Sequence, residues 1–235
     1  MTDLLYQTDA YLKSFNGVVV DHVDGGVVLD CTAFYPGGGG QPADTGRLAR
    51  GGQTWMVPKV KSVAGRPVHF IDDPFPEIGT ILQGEIDWLR RYQLMRTHTA
   101  LHILCGVVWR DYGAQVTGGN MDPRKGRMDF EFETMRQELV AEIEAAINQE
   151  VAAARPVQVK ILPRAEAFQI PDLIRTKINL LPEGITEVRT VEIVGLDLQA
   201  DGGTHVANTS EVGPLRVTNY KSKGRINKRI YIELE

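Results

Sequence analysis

Met95-Arg96-Thr97-His98-Thr99-Ala100-Leu101-His102-Ile103-Leu104 is the stretch that decides the fold. No proline interrupts it, and Asp87 stands upstream as an N-cap for a helix running to about Arg110. Leu94, Leu101, Leu104 and Val108 supply its buried stripe. Residues at this spacing project from one helical face, so His98 and His102 present two imidazoles side by side. The chain before this helix reads as strand, and the chain after it mixes helices with strands. That pattern defines an α+β protein.

Upstream, Val18 to Val23 and Val27 to Asp30 read as strands joined by a tight Asp24-Gly25-Gly26 turn. Short strands follow at Gln53 to Val57, Lys59 to Val63, Pro67 to Phe70 and Gly79 to Ile86. Asp72-Asp73-Pro74, with Pro76 close behind, marks a turn among them. Many short strands separated by Gly and Pro predict a small N-terminal β-barrel over residues 1–87.

Downstream, residues 88–235 predict a second domain, an antiparallel sheet with helices. Ala114 to Thr117 and Arg127 to Phe132 read as strands joined by a Gly-rich turn. Thr134, with Gln137 in capping-box position, opens a helix whose stripe is Leu139, Ile143, Ala146, Ile147 and Val151. Pro156 stops it. Val157 to Leu162 alternates as a strand, a short helix starts near Arg164, and Pro171 begins another. Val188 to Ile193, Val212 to Tyr220 and Arg229 to Leu234 are further strands.

Composition bounds the function. The net charge of −4 excludes a global positive field, so any contact with RNA must use a local basic patch. The two cysteines, Cys31 and Cys105, are too few and too isolated for a disulfide framework, and a reducing cytoplasm is the simplest compartment. The N-terminus lacks the features of a signal peptide, and no apolar run reaches membrane-spanning length, so no membrane partner is expected.

A second cluster, Asp201-Gly202-Gly203-Thr204-His205, follows the strand at Val188 to Ile193. With His98 and His102 it uses three of the five histidines in the chain. One histidine pair on a helix is more often an ordinary polar face than a metal site. Two compact clusters together offer three nitrogens and a carboxylate oxygen, a donor set that suits Zn²⁺. The three histidines are the core ligands, and Asp201 either completes the sphere or orients a water. A zinc with an open position can activate water toward an ester carbonyl. Thr99 stands where a metalloprotease helix carries its glutamate, which argues against a protease.

Gly37-Gly38-Gly39-Gly40 lies between Tyr35-Pro36 and Gln41-Pro42. A bare glycine run is most often a turn or linker. No Gly-Lys-Ser/Thr follows, so this is no phosphate loop and ATP binding is not expected. The run can bring backbone N–H groups and the Gln41 amide close to a small substrate. Lys221, Lys223, Arg225, Lys228 and Arg229 read as a basic hairpin and a local phosphate track. Arg90, Arg91 and Arg96 are a second basic candidate, whereas Trp109 and Phe130 read as core.

Three motifs occur in order: Phe34-Tyr35-Pro36 with Gly-Gly-Gly-Gln and Asp44-x-Gly46, His98-Thr99-Ala100-Leu101-His102, and Gly202-Gly203-Thr204-His205-Val206. Together they resemble the AlaX family, free-standing relatives of the editing domain of alanyl-tRNA synthetase, in its medium-sized subtype. The resemblance implies a trans-editing hydrolase that deacylates tRNA(Ala) mischarged with serine, with glycine as a second candidate. It implies zinc ligands at His98, His102 and His205, and it commonly has Cys where this chain has Asp201. Thr32 matches a threonine implicated in sensing the serine hydroxyl, and Gly37 to Gln41 match the motif that shapes the amino-acid pocket. A site that hydrogen-bonds a hydroxyl rejects the substrate lacking it, which is the discrimination required between serine and alanine. By residue type alone, Thr32 is an ordinary strand threonine. Two other readings stay open: a tRNA-binding module with structural or no metal, and a metal-dependent hydrolase of small esters.

Overall fold

The computed structural model describes residues 2–23, 25–132, 136–174 and 184–235. The chain divides into two units, Met1–Gln93 and Leu94–Glu235.

The first unit is built on strands: β1 (Asp3–Leu4), β2 (Ser14–Val23), β3 (Gly26–Leu29), β4 (Cys31–Thr32), β5 (Gly46–Arg50), β6 (Gln53–Val57), β7 (Lys59–Val63), β8 (Arg66–Phe70) and β9 (Ile81–Ile86). Among the described residues, seven of them form one antiparallel sheet in the order β6-β5-β9-β2-β3-β8-β7. The long β2 is its hub. Its first half pairs with β9 and its second half with β3, with a register shift between Val19 and Asp21. Phe15, Val19, Val27, Leu29, Phe34, Leu48, Val57 and Leu82 form the core, each burial stabilising by about 1.5–3 kcal/mol.

A closed barrel was expected, but this sheet has two edges, β6 and β7. Only Pro58 separates these strands. A hairpin needs at least a two-residue loop, and proline lacks the donor that pairing uses, so the ladder does not close there. Strand β5 was not anticipated, because Gly46-Arg47-Leu48-Ala49-Arg50 carries only one large apolar side chain, the buried Leu48.

Helix α1 (Trp88–Tyr112) begins in the first unit and continues into the second. The Asp87 carboxylate accepts the Arg90 N–H at 3.1 Å, the N-cap bond its position predicts. Leu94, Leu101, Leu104 and Val108 are buried as the spacing requires.

The remaining elements are β10 (Val116–Asp122), β11 (Lys125–Glu131), α2 (Gln137–Ala152), β12 (Val157–Pro163), α3 (Arg164–Ala167), β13 (Glu187–Ile193), β14 (Asp197–Ala200), β15 (Leu215–Ser222) and β16 (Asn227–Leu234). They make two antiparallel sheets, β10-β11-β16-β15 and β12-β13-β14. Strand β16 alternates strictly, burying Lys228, Ile230, Ile232 and Leu234 on one face. Helix α2 buries Val140, Ile143, Ile147 and Val151. Its Asn148 side chain bonds the Leu215 backbone in both directions, at 2.8 and 2.9 Å, which ties α2 to β15.

Several local expectations change. Gly118 and Gly119 lie within β10, and the turn to β11 is at Pro123-Arg124, where Arg124 takes φ +66°. Thr134 and Asp24 lie outside the described residues. Helix α2 follows Arg136, which makes no side-chain cap bond. Pro171-Asp172 is a turn, and most of the helix expected to follow it lies outside the described residues. Among the described residues, no helix is long and apolar enough to cross a membrane.

Candidate metal centre

His98 and His102 project from α1 one turn apart, with ring centroids 5.1 Å from each other. The His205 ring arrives from the segment after β14, at 4.2 Å from His98 and 4.7 Å from His102. Asp201 places Oδ2 3.0 Å from His205 Nε2 and Oδ1 3.6 Å from His98 Nε2. One ligand atom from each residue lies within 4.8 Å of all the others, so among the described residues this group can hold a metal ion. Donors at ~2.0–2.1 Å around a tetrahedral ion stand roughly 3.3 Å apart. The two Asp201 separations bracket that value.

The surroundings prepare the donors. His102 Nδ1 lies 3.0 Å from Asp197 Oδ2. A carboxylate accepts only, so Nδ1 carries the proton and Nε2 is left with a lone pair. His205 Nδ1 is 3.1 Å from Thr99 Oγ1, which also accepts the Val206 N–H at 3.3 Å. Burial pushes the His98 imidazole well below its ordinary pKa and takes His205 down to about 4, so both are neutral near pH 7. Burial acts the same way on His102, but the Asp197 carboxylate carries that ring above its ordinary value. For Asp201, burial acts upward, and His98, His205 and His102 together hold the carboxyl well below the usual range.

The turn carrying Asp201 is fixed from two sides. The Gly203 N–H donates to Asp201 Oδ2 at 2.8 Å. The buried Arg189 guanidinium donates to the carbonyls of Asp201 and Gly203 at 2.9 and 2.8 Å. On α1, Thr97 Oγ1 accepts the Arg124 N–H at 2.9 Å, anchoring the β10–β11 turn beside His98.

The glycine-rich stretch is a tight hairpin in the first unit. Gly38 and Gln41 exchange backbone hydrogen bonds at 3.1 and 2.9 Å around Gly39 and Gly40. Both turn residues have positive φ, +56° and +88°, a geometry that favours glycine. Tyr35 donates its hydroxyl to Gly38 O at 3.0 Å, and Gln41 is buried. The base of the hairpin is clamped by Asp44, which accepts the Tyr35 N–H at 2.6 Å. Arg91 holds Asp44 in turn through Nε, at 2.9 and 3.1 Å, and through Nη2.

Thr32 is fully buried. Its Oγ1 accepts the Phe34 N–H at 3.1 Å and lies 2.8 Å from His69 Nε2. His69 Nδ1 faces the Val27 carbonyl at 3.3 Å, so Nδ1 carries the proton and Thr32 donates to Nε2.

The basic run divides. Lys221, Lys223 and Arg225 are exposed at the expected β15–β16 hairpin. Lys228 is buried and donates to the carbonyls of Gly224 and Arg225, both at 2.8 Å. Arg229 is spent on a bidentate pair with Asp129, at 2.6 and 2.7 Å. In the other basic group, Arg91 is buried and Arg96 donates to the Val212 carbonyl. Phe130 is core, as expected.

Sequence reasoning passed over Asp197, Gln199, Arg189 and His69, and used Thr99 only to argue against a protease. The alternation of Asp197 and Gln199 just before the Asp201 turn was the available signal for the first two.

Residues 9–90 match the family model described as tRNA synthetases class II (A). Residues 188–231 match the Threonyl and Alanyl tRNA synthetase second additional domain. Two segments of the chain thus match aminoacyl-tRNA synthetase family models. The chain is 38% identical over 243 residues to Alanyl-tRNA editing protein AlaX-M of Methanosarcina acetivorans, covering 100% of this chain and 99% of the relative. It is 40% identical over 236 residues to the AlaX-M protein of Saccharolobus solfataricus, covering 98% of each. It also matches Alanine--tRNA ligase of Pyrobaculum aerophilum at 41% identity, covering 91% of this chain and 25% of that enzyme. The chain belongs to the AlaX-M family of alanyl-tRNA editing proteins.

Proposed function

We propose that the protein is a trans-acting deacylase that removes the wrong amino acid from mischarged tRNA(Ala), with serine as the main substrate and glycine as the second. The convergence of His98, His102, His205 and Asp201 carries this reading, and full-length similarity to proteins named for alanyl-tRNA editing supports it. The aminoacyl bond is an activated ester, so hydrolysis needs a placed water and stabilisation of the developing oxyanion.

Zinc is the ion proposed, and it supplies Lewis acidity toward the ester carbonyl and toward water. The chain's own residues do the rest. Asp197 engages Nδ1 of His102 and so reserves Nε2 as its ligand nitrogen, and Thr99 holds the His205 ring through Nδ1. Asp201 remains ionised, either as a fourth ligand or as the group that orients water. The second unit carries this chemistry. The first, with its glycine-rich hairpin and Gln41, contributes to amino-acid selection. Lys221, Lys223 and Arg225 are the cations left for the tRNA backbone, and a cytoplasmic location belongs to the same proposal.

The serine-reading role of Thr32 carries a specific condition: its hydroxyl must exchange the His69 partner for the substrate. Thr32→Val separates the two outcomes. Lost serine-versus-alanine discrimination supports that role, whereas lost stability with unchanged discrimination assigns Thr32 to the fold. The main test is release of serine from Ser-tRNA(Ala) with and without a chelator, alongside His98→Ala. Full activity in the metal-stripped protein removes the mechanism. Comparison with small seryl esters separates a tRNA deacylase from a general esterase.

A further inference from the structure

We propose that Asp197 is a positioning residue for His102 and thereby sets how tightly the centre holds its ion. The inference rests on reading the His/Asp cluster as a metal site, and it adds a group outside the ligand set.

Asp197 opens β14, and its side chain has no exposed surface. Its Oδ2 accepts from His102 Nδ1 at 3.0 Å and from Gln199 Nε2 at 2.6 Å. The same Gln199 amide lies 3.3 Å from the Sγ of Cys105, on the helix that carries His102. Strand alternation puts Asp197 and Gln199 on one side of β14, so both reach α1. His102, Asp197, Gln199 and Cys105 thus form one connected group behind the centre.

The helix is shaped to receive this carboxylate. Gly106 lies one turn beyond His102. A Cβ there would stand 2.8 Å from Leu196 Cγ and 3.1 Å from Asp197 Cβ, closer than packed carbons approach. The missing side chain is what lets the strand carry Asp197 up to the ring.

A carboxylate on the far nitrogen of a ligating imidazole fixes its tautomer and strengthens its lone pair. His205 has a neutral hydroxyl, Thr99, in the equivalent place. The ligand rings are therefore unequal, and His102 is the strongest nitrogen donor among those whose far nitrogen has a defined partner.

The test is metal affinity. Metal-free wild type, Asp197→Asn and Gln199→Ala are titrated with Zn²⁺, and separately with Co²⁺, against a competing chromophoric chelator. Asp197→Asn is expected to bind Zn²⁺ about 10–100-fold more weakly, with altered visible bands in the Co²⁺ form. Gln199→Ala, which keeps the carboxylate but frees it to move, is expected to show a smaller loss. Melting of the metal-free proteins should stay close to wild type while the rise on adding Zn²⁺ shrinks. If Asp197→Asn misfolds, the Gln199→Ala arm decides. Wild-type affinity and an unchanged Co²⁺ spectrum in the folded variants overturn the proposal. Wild-type protein that takes up neither ion overturns the metal reading itself, and this inference with it.

Discussion

Arg91→Met tests how the glycine-rich hairpin is held. Arg91 and Asp44 have no exposed side-chain surface. Beyond the carboxylate, the guanidinium donates to Ala10 O at 2.9 Å and Ala33 O at 2.6 Å. Methionine fills much of the volume but leaves a buried carboxylate without its cation and two carbonyls without a donor. Breaking a buried ion pair from one side costs about 3–5 kcal/mol. The orphaned carbonyls share the same cavity and raise the total to about 4–6 kcal/mol. Against a typical stability of roughly 5–15 kcal/mol, this brings the variant close to unfolding. Urea denaturation at pH 7, followed by tryptophan fluorescence, measures the loss, since Trp55 and Trp88 both lie in this unit. Asp44→Leu combined with Arg91→Met removes both charges and should recover at least ~2 kcal/mol relative to the single variant. A single variant that loses less than ~1 kcal/mol refutes the reasoning, because the pair would then hold nothing in place.

Two further predictions concern acid sensitivity and tRNA binding. Burial takes the His69 imidazole from 6.5 down to about 4, against a weaker upward pull from its bond to Val27 O. The folded state therefore favours the neutral ring. The associated stability is complete above pH 6.5 and is lost as pH falls toward 4, by about 3 kcal/mol. His69→Gln should flatten the dependence of the urea midpoint on pH across that window, and an unchanged slope contradicts the assignment. Replacing Lys221, Lys223 and Arg225 together by Ser should weaken binding of charged tRNA and reduce its logarithmic salt slope by roughly 2–3. An identical slope places the RNA elsewhere on the protein.

Much of the fold is legible in the residues. Asp87 before an uninterrupted apolar-periodic run predicts α1, and β6 and β7 fall on their expected residues, because each signal is local. Strand β5 escaped because one leucine among Gly, Arg and Ala carries too little pattern. The barrel expectation met an open sheet because closure depends on two edges pairing, which no single strand encodes. The four residues of the centre were all readable, since the His98/His102 spacing and the Asp201-Gly-Gly-Thr-His205 turn are short-range features. The partners of those residues were not.

Sequence by itself determined that imidazoles share a helical face and that a glycine-rich turn carries an aspartate and a third histidine. Local backbone geometry follows from residue type and spacing alone. Tertiary structure decided which basic residues remain free: Arg91 and Arg229 are neutralised by Asp44 and Asp129, each distant in the chain. It also decided that Asp197 stands behind His102. Electrostatic and hydrogen-bond pairing acts over a few ångströms of space regardless of separation along the chain, so only the folded arrangement specifies which charge meets which.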